Sequence, residues 1–204
     1  MRQELIDTIK QAVKLSKTDI PLARLLAFIE VESGGRGFAE YINKDGTKTT
    51  KLIIQFEAGT FSKATGIARS KDNNWAWDEN VVDVQSKEWE AFNEAFTKVD
   101  KVKAMESTSW GLPQIMGFNY KQAGYNSVGE MLDDYKRGEL QQVVSLIKFI
   151  QNSSKLYKAV LAGDYEAIAS TYNGSGHRAL ALKNGWKPYP DKLKEAEEKY
   201  KSVK

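Results

Sequence analysis

In LLAFIEVESGGRGF, residues 25–38, an apolar run ends in two acids and two glycines. Glycines directly after a periodic apolar run are typical of a helix end, so the sequence predicts a helix over 19–33. At about 100° per residue, Glu32 lies at one edge of its apolar stripe and Glu30 lies at the other.

The position of Glu32 favours a protonated carboxyl group. It falls in the last turn, where the negative end of the helix disfavours a further negative charge. Apolar neighbours disfavour that charge further by desolvation, so both effects raise the pKa. A general acid that works near neutral pH needs such a pKa. The alternative, that Glu30 and Glu32 are both solvated edge residues, stays open on this stretch alone.

The rest of the chain has a mostly helical pattern with one β hairpin. Strands at 38–43 and 49–56 flank the turn signal Asp45-Gly46. Residues 67–83 are predicted to form a loop that carries exposed or half-buried tryptophans, Trp75 and Trp77. Helices are predicted at 2–15, 58–66, 86–104, 109–117, 119–123, 127–136, 138–152, 154–162, 164–172 and 190–202. The fold class is therefore mostly α (α+β).

The composition excludes several classes of protein. Hydrophobic residues make up 41% and charged residues 28%, which is typical of a globular protein. Without a Pro-, Gly- or Ser-rich linker, residues 1–204 are expected to form one catalytic domain. The chain has no cysteine and one histidine, His177. This excludes disulfides, thiol catalysis and cysteine zinc sites, and it disfavours a histidine metal cluster or a Ser–His–Asp triad. No metal and no organic cofactor are expected.

Charge and hydropathy limit the classes of binding partner that the sequence predicts. A net charge of +3 suits an anionic polymer but is too small to predict nucleic-acid binding. No window approaches 18 uninterrupted apolar residues, so no membrane span is predicted. The start of the chain, MRQELIDTIKQAV, lacks the apolar core of a signal peptide. We therefore expect synthesis in the cytoplasm and release by another route.

A second acid follows the predicted hairpin. In LIIQFEAGTF, Gln55 and Glu57 share one side of the outgoing strand because side chains alternate along a strand. If this strand faces the end of helix 19–33, Gln55, Glu57 and Glu32 line one groove. Paired carboxylates across a groove are the equipment of glycoside hydrolysis. The alternative is that Glu57 only caps the following helix.

Two further segments carry polar groups suited to sugars. ESTSWGLPQIMG, residues 106–117, contains Ser109, Trp110 and Gln114. A glutamine among apolar residues needs a hydrogen-bond partner, either a sugar group or a backbone group. In TYNGSG, Tyr172 offers a flat face and a hydroxyl, and Asn173 offers a paired donor and acceptor, although both also suit an ordinary helix end. The predicted substrate-binding residues are Gln55, Ser109, Trp110, Gln114, Tyr172 and Asn173.

The order of these motifs resembles the lysozyme-like superfamily, and most closely the N-acetylmuramidase family of phage endolysins and bacterial lysins. The motifs VESGGRGF, LIIQFEAGTF, STSWGLPQIMGFNY, AGYNSVGEML and YNGSGH carry the likeness over about residues 20–180. It implies a lysozyme-like helical domain with a small β hairpin beside the active-site cleft. It also implies Glu32 as the catalytic acid and Glu57 as the second acid, with Gln114, Tyr172 and Asn173 lining the sugar groove.

The resemblance implies hydrolysis of the β-1,4 bond between N-acetylmuramic acid and N-acetylglucosamine in peptidoglycan, as by a phage or prophage endolysin acting on the cell wall after release. The alternatives are a lytic transglycosylase, a secreted antibacterial muramidase toxin and a non-catalytic peptidoglycan-binding module. The expected partner is the glycan strand. Neither a holin nor an immunity protein can be identified from the sequence.

Overall fold

The structure, a computed structural model, describes residues 1–43, 45–70, 72–76 and 84–203. Its backbone contacts divide the chain into two compact units, which are described separately below. Unit 1 comprises residues 1–35 and 139–204, and unit 2 comprises residues 36–138. That residues 1–204 act as one catalytic domain stays a prediction.

The described residues form eleven helices and five short strands, which confirms the mostly helical fold class. The helices are α1 (Gln3–Ser16), α2 (Leu22–Ser33), α3 (Ala58–Thr65), α4 (Gln85–Lys98), α5 (Lys101–Glu106), α6 (Val128–Lys136), α7 (Glu139–Gln151), α8 (Ser154–Ala162), α9 (Tyr165–Tyr172), α10 (His177–Asn184) and α11 (Tyr189–Tyr200). The strands are β1 (Phe38–Ile42), β2 (Lys48–Leu52), β3 (Ile54–Phe56), β4 (Thr108–Trp110) and β5 (Ile115–Met116). No helix among the described residues is long and apolar enough to cross a membrane.

Unit 1 is helical, and α2 is its central helix. Leu25, Leu26, Phe28 and Ile29 of α2 are fully buried, and α1 and α11 pack against this helix. A buried ion pair adds to this packing, because the guanidinium of Arg24 on α2 donates two 2.7 Å hydrogen bonds to the carboxylate of Glu197 on α11. A bidentate pair of this kind is geometrically specific, so the register of α11 along α2 is fixed.

Unit 2 carries both β sheets. In the hairpin, β1 pairs with β2 from Phe38↔Leu52 to Ile42↔Lys48. The predicted outgoing strand 49–56 was wrong as a single strand: β3 leaves the hairpin and forms a three-stranded antiparallel sheet in the order β3-β4-β5. Ile53 marks the change, because its N–H donates to the Gly37 carbonyl while its own carbonyl accepts from Gly111 of the other sheet.

The predicted helix 109–117 was wrong. This segment forms β4, a tight turn, β5 and a 3-10 turn over Gly117–Asn119. Gly111 and Gln114 have φ values of +65° and +48°, a conformation in which an α-helix cannot continue. Gly117 packs so closely on α5 that a Cβ atom would lie 2.0 Å from the Met105 carbonyl oxygen. Only glycine fits there.

Three other sequence predictions need correction. The predicted helix 119–123 is not observed, because the 3-10 turn Gly117–Asn119 is followed by turns over residues 120–124. The predicted helix 86–104 is two helices, because Asp100 starts α5 by accepting a 2.8 Å hydrogen bond from the Lys103 N–H. Trp75 is buried, not exposed, in a 3-10 turn where its ring packs edge-on against Phe61. Trp77 lies outside the described residues.

Candidate active site

Glu32 is the last residue but one of α2. The Ser33 hydroxyl folds back and donates a 3.0 Å hydrogen bond to the Ile29 carbonyl. Gly34 then adopts φ +61°, and its N–H donates to the Glu30 carbonyl. This left-handed conformation favours glycine, which explains the sharp end of the helix. The helix therefore stops with Glu32 in its final turn, as predicted.

The Glu32 carboxylate accepts a hydrogen bond from the hydroxyl of Tyr189, the first residue of α11. Burial raises the pKa of Glu32 to about 7, against the opposing effects of the Tyr189 hydrogen bond and the positive charge of Lys192. Burial and the nearby Glu32 also raise the pKa of Tyr189 well above its ordinary value. Near neutral pH, Glu32 is therefore protonated in a substantial fraction of molecules, as a general acid requires.

Glu30 has the opposite character. Burial alone would raise its pKa, but hydrogen bonds from Lys199 and Tyr200 outweigh burial and hold the pKa below the ordinary value. A carboxylate that is ionised at neutral pH has no proton to donate. The structure thus gives the two glutamates opposite pKa shifts, and the shift of Glu32 is in the direction that the sequence predicts.

The predicted residue Tyr172 lies in the same unit as Glu32. Its ring packs against Phe28, one turn before Glu32 on α2, at 5.1 Å between ring centroids, and against Phe149 at 5.5 Å. Tyr172 also raises the pKa of Tyr189 electrostatically, so these two phenols are neighbours. Asn173 ends α9 and is exposed. Unit 1 therefore brings an acid, two tyrosines and an exposed amide to the ends of α2, α9 and α11.

Replacing Tyr189 by Phe tests the environment of Glu32. The Tyr189 hydrogen bond favours the ionised carboxylate, so Tyr189→Phe should raise the pKa of Glu32 above about 7. Because the protonated form is the acid, the alkaline limb of the pH–activity profile should move to higher pH, with a loss at the optimum of roughly tenfold or less. The matched control is Tyr200→Phe, which removes the equivalent bond to Glu30. An unchanged alkaline limb in Tyr189→Phe, or an equal shift of that limb in Tyr200→Phe, would show that the Tyr189 hydrogen bond does not set the pKa of the catalytic group.

In unit 2, the half-buried Gln55 and Glu57 alternate with the buried Ile54 and Phe56, as the strand pattern predicts. Glu57 directly follows β3 and precedes α3. Its N–H donates to the Ser107 carbonyl and its carbonyl accepts from the Phe61 N–H, both at 2.9 Å. Glu57 occupies the N-cap position of α3, as the capping alternative predicts, but its side chain makes no capping hydrogen bond to that helix.

A third carboxyl group, Glu88 of α4, lies beside Glu57. Glu88 is only 3% exposed and accepts a 2.7 Å hydrogen bond from the Phe56 N–H. Burial raises the pKa of Glu88 to about 7, the Phe56 hydrogen bond opposes this, and the negative charge of Glu57 raises it further. Two glutamates of unit 2 thus interact electrostatically at the junction of β3 and α3.

Ser109 and Trp110 belong to β4, opposite Gln55 and Ile54 of β3. The Trp110 ring is 2% exposed and packs edge-on against Trp89 and Phe92, and its indole N–H donates to the Met105 carbonyl. This corrects the prediction of a sugar contact by Trp110, because its faces and its donor are used inside the unit. Ser109 is buried with its hydroxyl against the Met116 sulfur, and its contact with substrate stays a prediction.

Gln114 shows two signs of a binding role. It is a non-glycine residue at φ +48°, and such strained positions cluster at functional sites. Its amide nitrogen donates to the Gly111 carbonyl at 2.8 Å, whereas its buried Oε1 has no hydrogen-bond partner among the residues that the structure describes. A buried acceptor without a partner is costly unless a ligand supplies the donor.

Three residues of these surroundings were missed from the sequence. Tyr189 and Lys192 lie 157 and 160 positions after Glu32, and no local pattern connects them with it. Glu88 stands in a stretch, KEWEAF, that predicts an ordinary solvated helix face. The only local signal for Glu88 was that it lies three residues after Gln85, which places both side chains on one face of α4. Both side chains bind the backbone of β3. Among the described residues, no three His, Cys, Asp or Glu side chains are grouped as a metal site requires.

Comparison with known proteins identifies the family. The family model described as Muramidase, N-acetylmuramidase, matches residues 21–201. No curated protein matches the chain. Among solved structures, the crystal structure of a Burkholderia AP3 phage endolysin is similar, with a TM-score of 0.68 and 25% identity over 96% of this chain and 69% of that one. The chain therefore belongs to the N-acetylmuramidase family and is a glycoside hydrolase of the lysozyme type that acts on peptidoglycan.

Proposed function

We propose that the protein hydrolyses the β-1,4 bond between N-acetylmuramic acid and N-acetylglucosamine, with Glu32 as the general acid. The observation that carries this proposal is the half-buried carboxyl at the end of α2, whose pKa is raised to about 7. Protonated Glu32 gives its proton to the leaving glycosidic oxygen as the bond to the sugar carbon breaks. The charge that develops on the sugar is then that of an oxocarbenium-like centre.

Glu57 is the proposed second carboxylate. It either activates a water molecule as general base or stabilises the oxocarbenium-like centre. One feature supports this role: its backbone is fixed at both the N–H and the carbonyl, directly after the strand that carries Gln55. Gln55, two residues earlier on the same side of the strand, is proposed to bind substrate beside it.

Gln114, Tyr172 and Asn173 are proposed to bind the glycan. The Gln114 Oε1 is an acceptor that suits the N–H of an N-acetyl group or a sugar hydroxyl. Tyr172 and Asn173 offer an aromatic ring and an exposed amide within the unit that carries Glu32.

The prediction for Gln114 separates binding from chemistry. Gln114→Asn tolerates positive φ and keeps the amide, but withdraws its oxygen by one methylene. We expect the apparent KM for purified peptidoglycan to rise about tenfold, the value of one hydrogen bond, with a smaller change in kcat. The control is Gln122→Asn, an amide shortened by the same step elsewhere in unit 2. An unchanged KM in Gln114→Asn would remove this residue from the binding site.

The leading alternative is a lytic transglycosylase, which uses the same acid but closes the muramic sugar onto its own C6 hydroxyl. Such enzymes often work without a second carboxylate, so Glu57 favours hydrolysis. The chemical identity of the products decides: hydrolysis leaves reducing muramic acid ends, and transglycosylation leaves anhydro ends. Binding without cleavage would instead indicate a non-catalytic module.

The biological role is proposed to be that of a phage or prophage endolysin, and the similarity to a phage endolysin over 96% of the chain supports it. The alternative is a secreted toxin against competing bacteria. Neighbouring genes test this: a holin gene supports the endolysin role, and a secretion cluster with an immunity gene supports the toxin.

A further inference from the structure

The free edge of β3 is covered by side chains of α4. On its other edge β3 pairs with β4, so the N–H groups of Ile54 and Phe56 point away from that partner. Gln85 accepts from the Ile54 N–H and donates to the Ile54 carbonyl, both at 2.9 Å. One turn later, Glu88 accepts from the Phe56 N–H at 2.7 Å. The helix therefore supplies hydrogen-bond partners along the free edge of a strand that is three residues long.

Gln85 and Glu88 bind different parts of β3. Gln85 binds the start of β3, three residues before Glu57. Glu88 binds Phe56, the residue directly before Glu57, and thereby fixes the peptide from which Glu57 leaves the strand. Because Glu88 is 3% exposed, water does not replace this acceptor readily. A bond to a buried N–H that is lost without replacement costs more than an exposed one.

We propose that Glu88 is a positioning residue for Glu57: by holding the Phe56 N–H, it fixes the strand end that presents the Glu57 carboxylate to the substrate. The inference rests on the proposed function, in which Glu57 is the second carboxylate. We propose no contact between Glu88 and the substrate, because its carboxyl is buried against the free edge of β3.

The charge of Glu88 is also set by this arrangement. Among the described residues, Glu57 is the charged side chain whose field acts on Glu88. The pKa of Glu88, raised to about 7 by burial, leaves it mainly neutral at pH 6. A neutral Glu88 accepts the Phe56 hydrogen bond without placing a second negative charge beside Glu57. Glutamine has the same shape and the same neutral acceptor, so it is a close mimic at that pH.

Three variants, assayed at pH 6 and well below their melting temperatures, separate positioning from stability. Glu88→Leu removes the acceptor and should lower kcat by 10–100-fold with little change in apparent KM, because small misplacements of a reacting group cost up to about 10²-fold. Glu88→Gln should restore kcat to within about threefold of the parent. Gln85→Leu, which removes two hydrogen bonds from the same strand, should lower Tm but keep kcat.

A second comparison tests whether Glu88 acts through Glu57. In the Glu57→Gln background, Glu88→Leu should cause no further loss of kcat, because the group that it positions is already disabled. If Glu88→Leu does not fold, Glu88→Asp, which draws the carboxyl back by one methylene, replaces it in both backgrounds.

The outcomes are distinct. A loss of kcat in Glu88→Leu that is rescued by Glu88→Gln and absent in Gln85→Leu supports the proposal. A Glu88→Leu variant that loses Tm but keeps kcat overturns it, while the proposed function stands on the inactivity of Glu32→Gln and Glu57→Gln. Full activity in Glu57→Gln removes the second carboxylate from the proposed function and overturns the inference with it.

Discussion

Glu32→Gln is expected to lose at least 10²–10⁴-fold of the cleavage rate on purified peptidoglycan, the usual contribution of a general acid. The amide nearly preserves the size of the side chain and can still accept a hydrogen bond from Tyr189. It has no proton to transfer to the glycosidic oxygen. Because the pKa of Glu32 is raised to about 7 by burial, removing the ionisable group should not destabilise the protein at neutral pH. Release of soluble fragments and thermal unfolding measure the two effects.

Glu30→Gln is the matched control, two residues earlier on the same helix. It removes an ionised carboxylate that Lys199 and Tyr200 hold, so a lower Tm with retained cleavage is expected. If Glu32→Gln were as active as Glu30→Gln, the catalytic assignment would be wrong. Circular dichroism of both variants checks that a loss of activity is not caused by a loss of the fold.

The second large effect is expected at Glu57. Glu57→Gln should lower kcat by about 10²-fold or more, the typical contribution of a general base, whether it activates water or stabilises the sugar cation. The fold should survive because Glu57 is half-buried and its backbone bonds to Ser107 and Phe61 remain. Initial rates at saturating peptidoglycan measure kcat directly.

Glu40→Gln, at an exposed position on β1 where Glu40 pairs with Lys48, is the control for a lost charge in unit 2 and should keep full activity. Full activity in Glu57→Gln together with anhydro products would point to a transglycosylase instead. Full activity with reducing products would require another residue as the second group.

Local signals explain what the sequence predicted well. The helix predicted at 154–162 is observed with the same bounds, and the one predicted at 138–152 is observed as Glu139–Gln151. In both helices, the helical spacing of the apolar residues and the polar residues at the ends predict the same bounds. Glu32 was predicted from the same kind of local signal: an apolar stripe, a helix end and an acid lie within one short stretch.

The sequence predictions that were wrong also have physical explanations. In SWGLPQIMG, Leu112, Ile115 and Met116 have helical spacing, but Gly111 and Gln114 take positive φ and form a turn between strands. Tertiary packing, not the local period, decides that segment. Glu88 and Tyr189 could not be assigned because their roles depend on burial and on partners distant in the chain, and a helix-face glutamate has no distinguishing pattern.

Mass spectrometry of the soluble products from purified peptidoglycan, with Glu32→Gln run in parallel, tests both the bond that is cleaved and the role of Glu32 as the acid. We expect fragments that end in reducing N-acetylmuramic acid from the parent protein and none above background from the variant. Fragments that end in reducing N-acetylglucosamine would contradict the proposed bond. Equal amounts of any fragment from Glu32→Gln would contradict Glu32 as the acid.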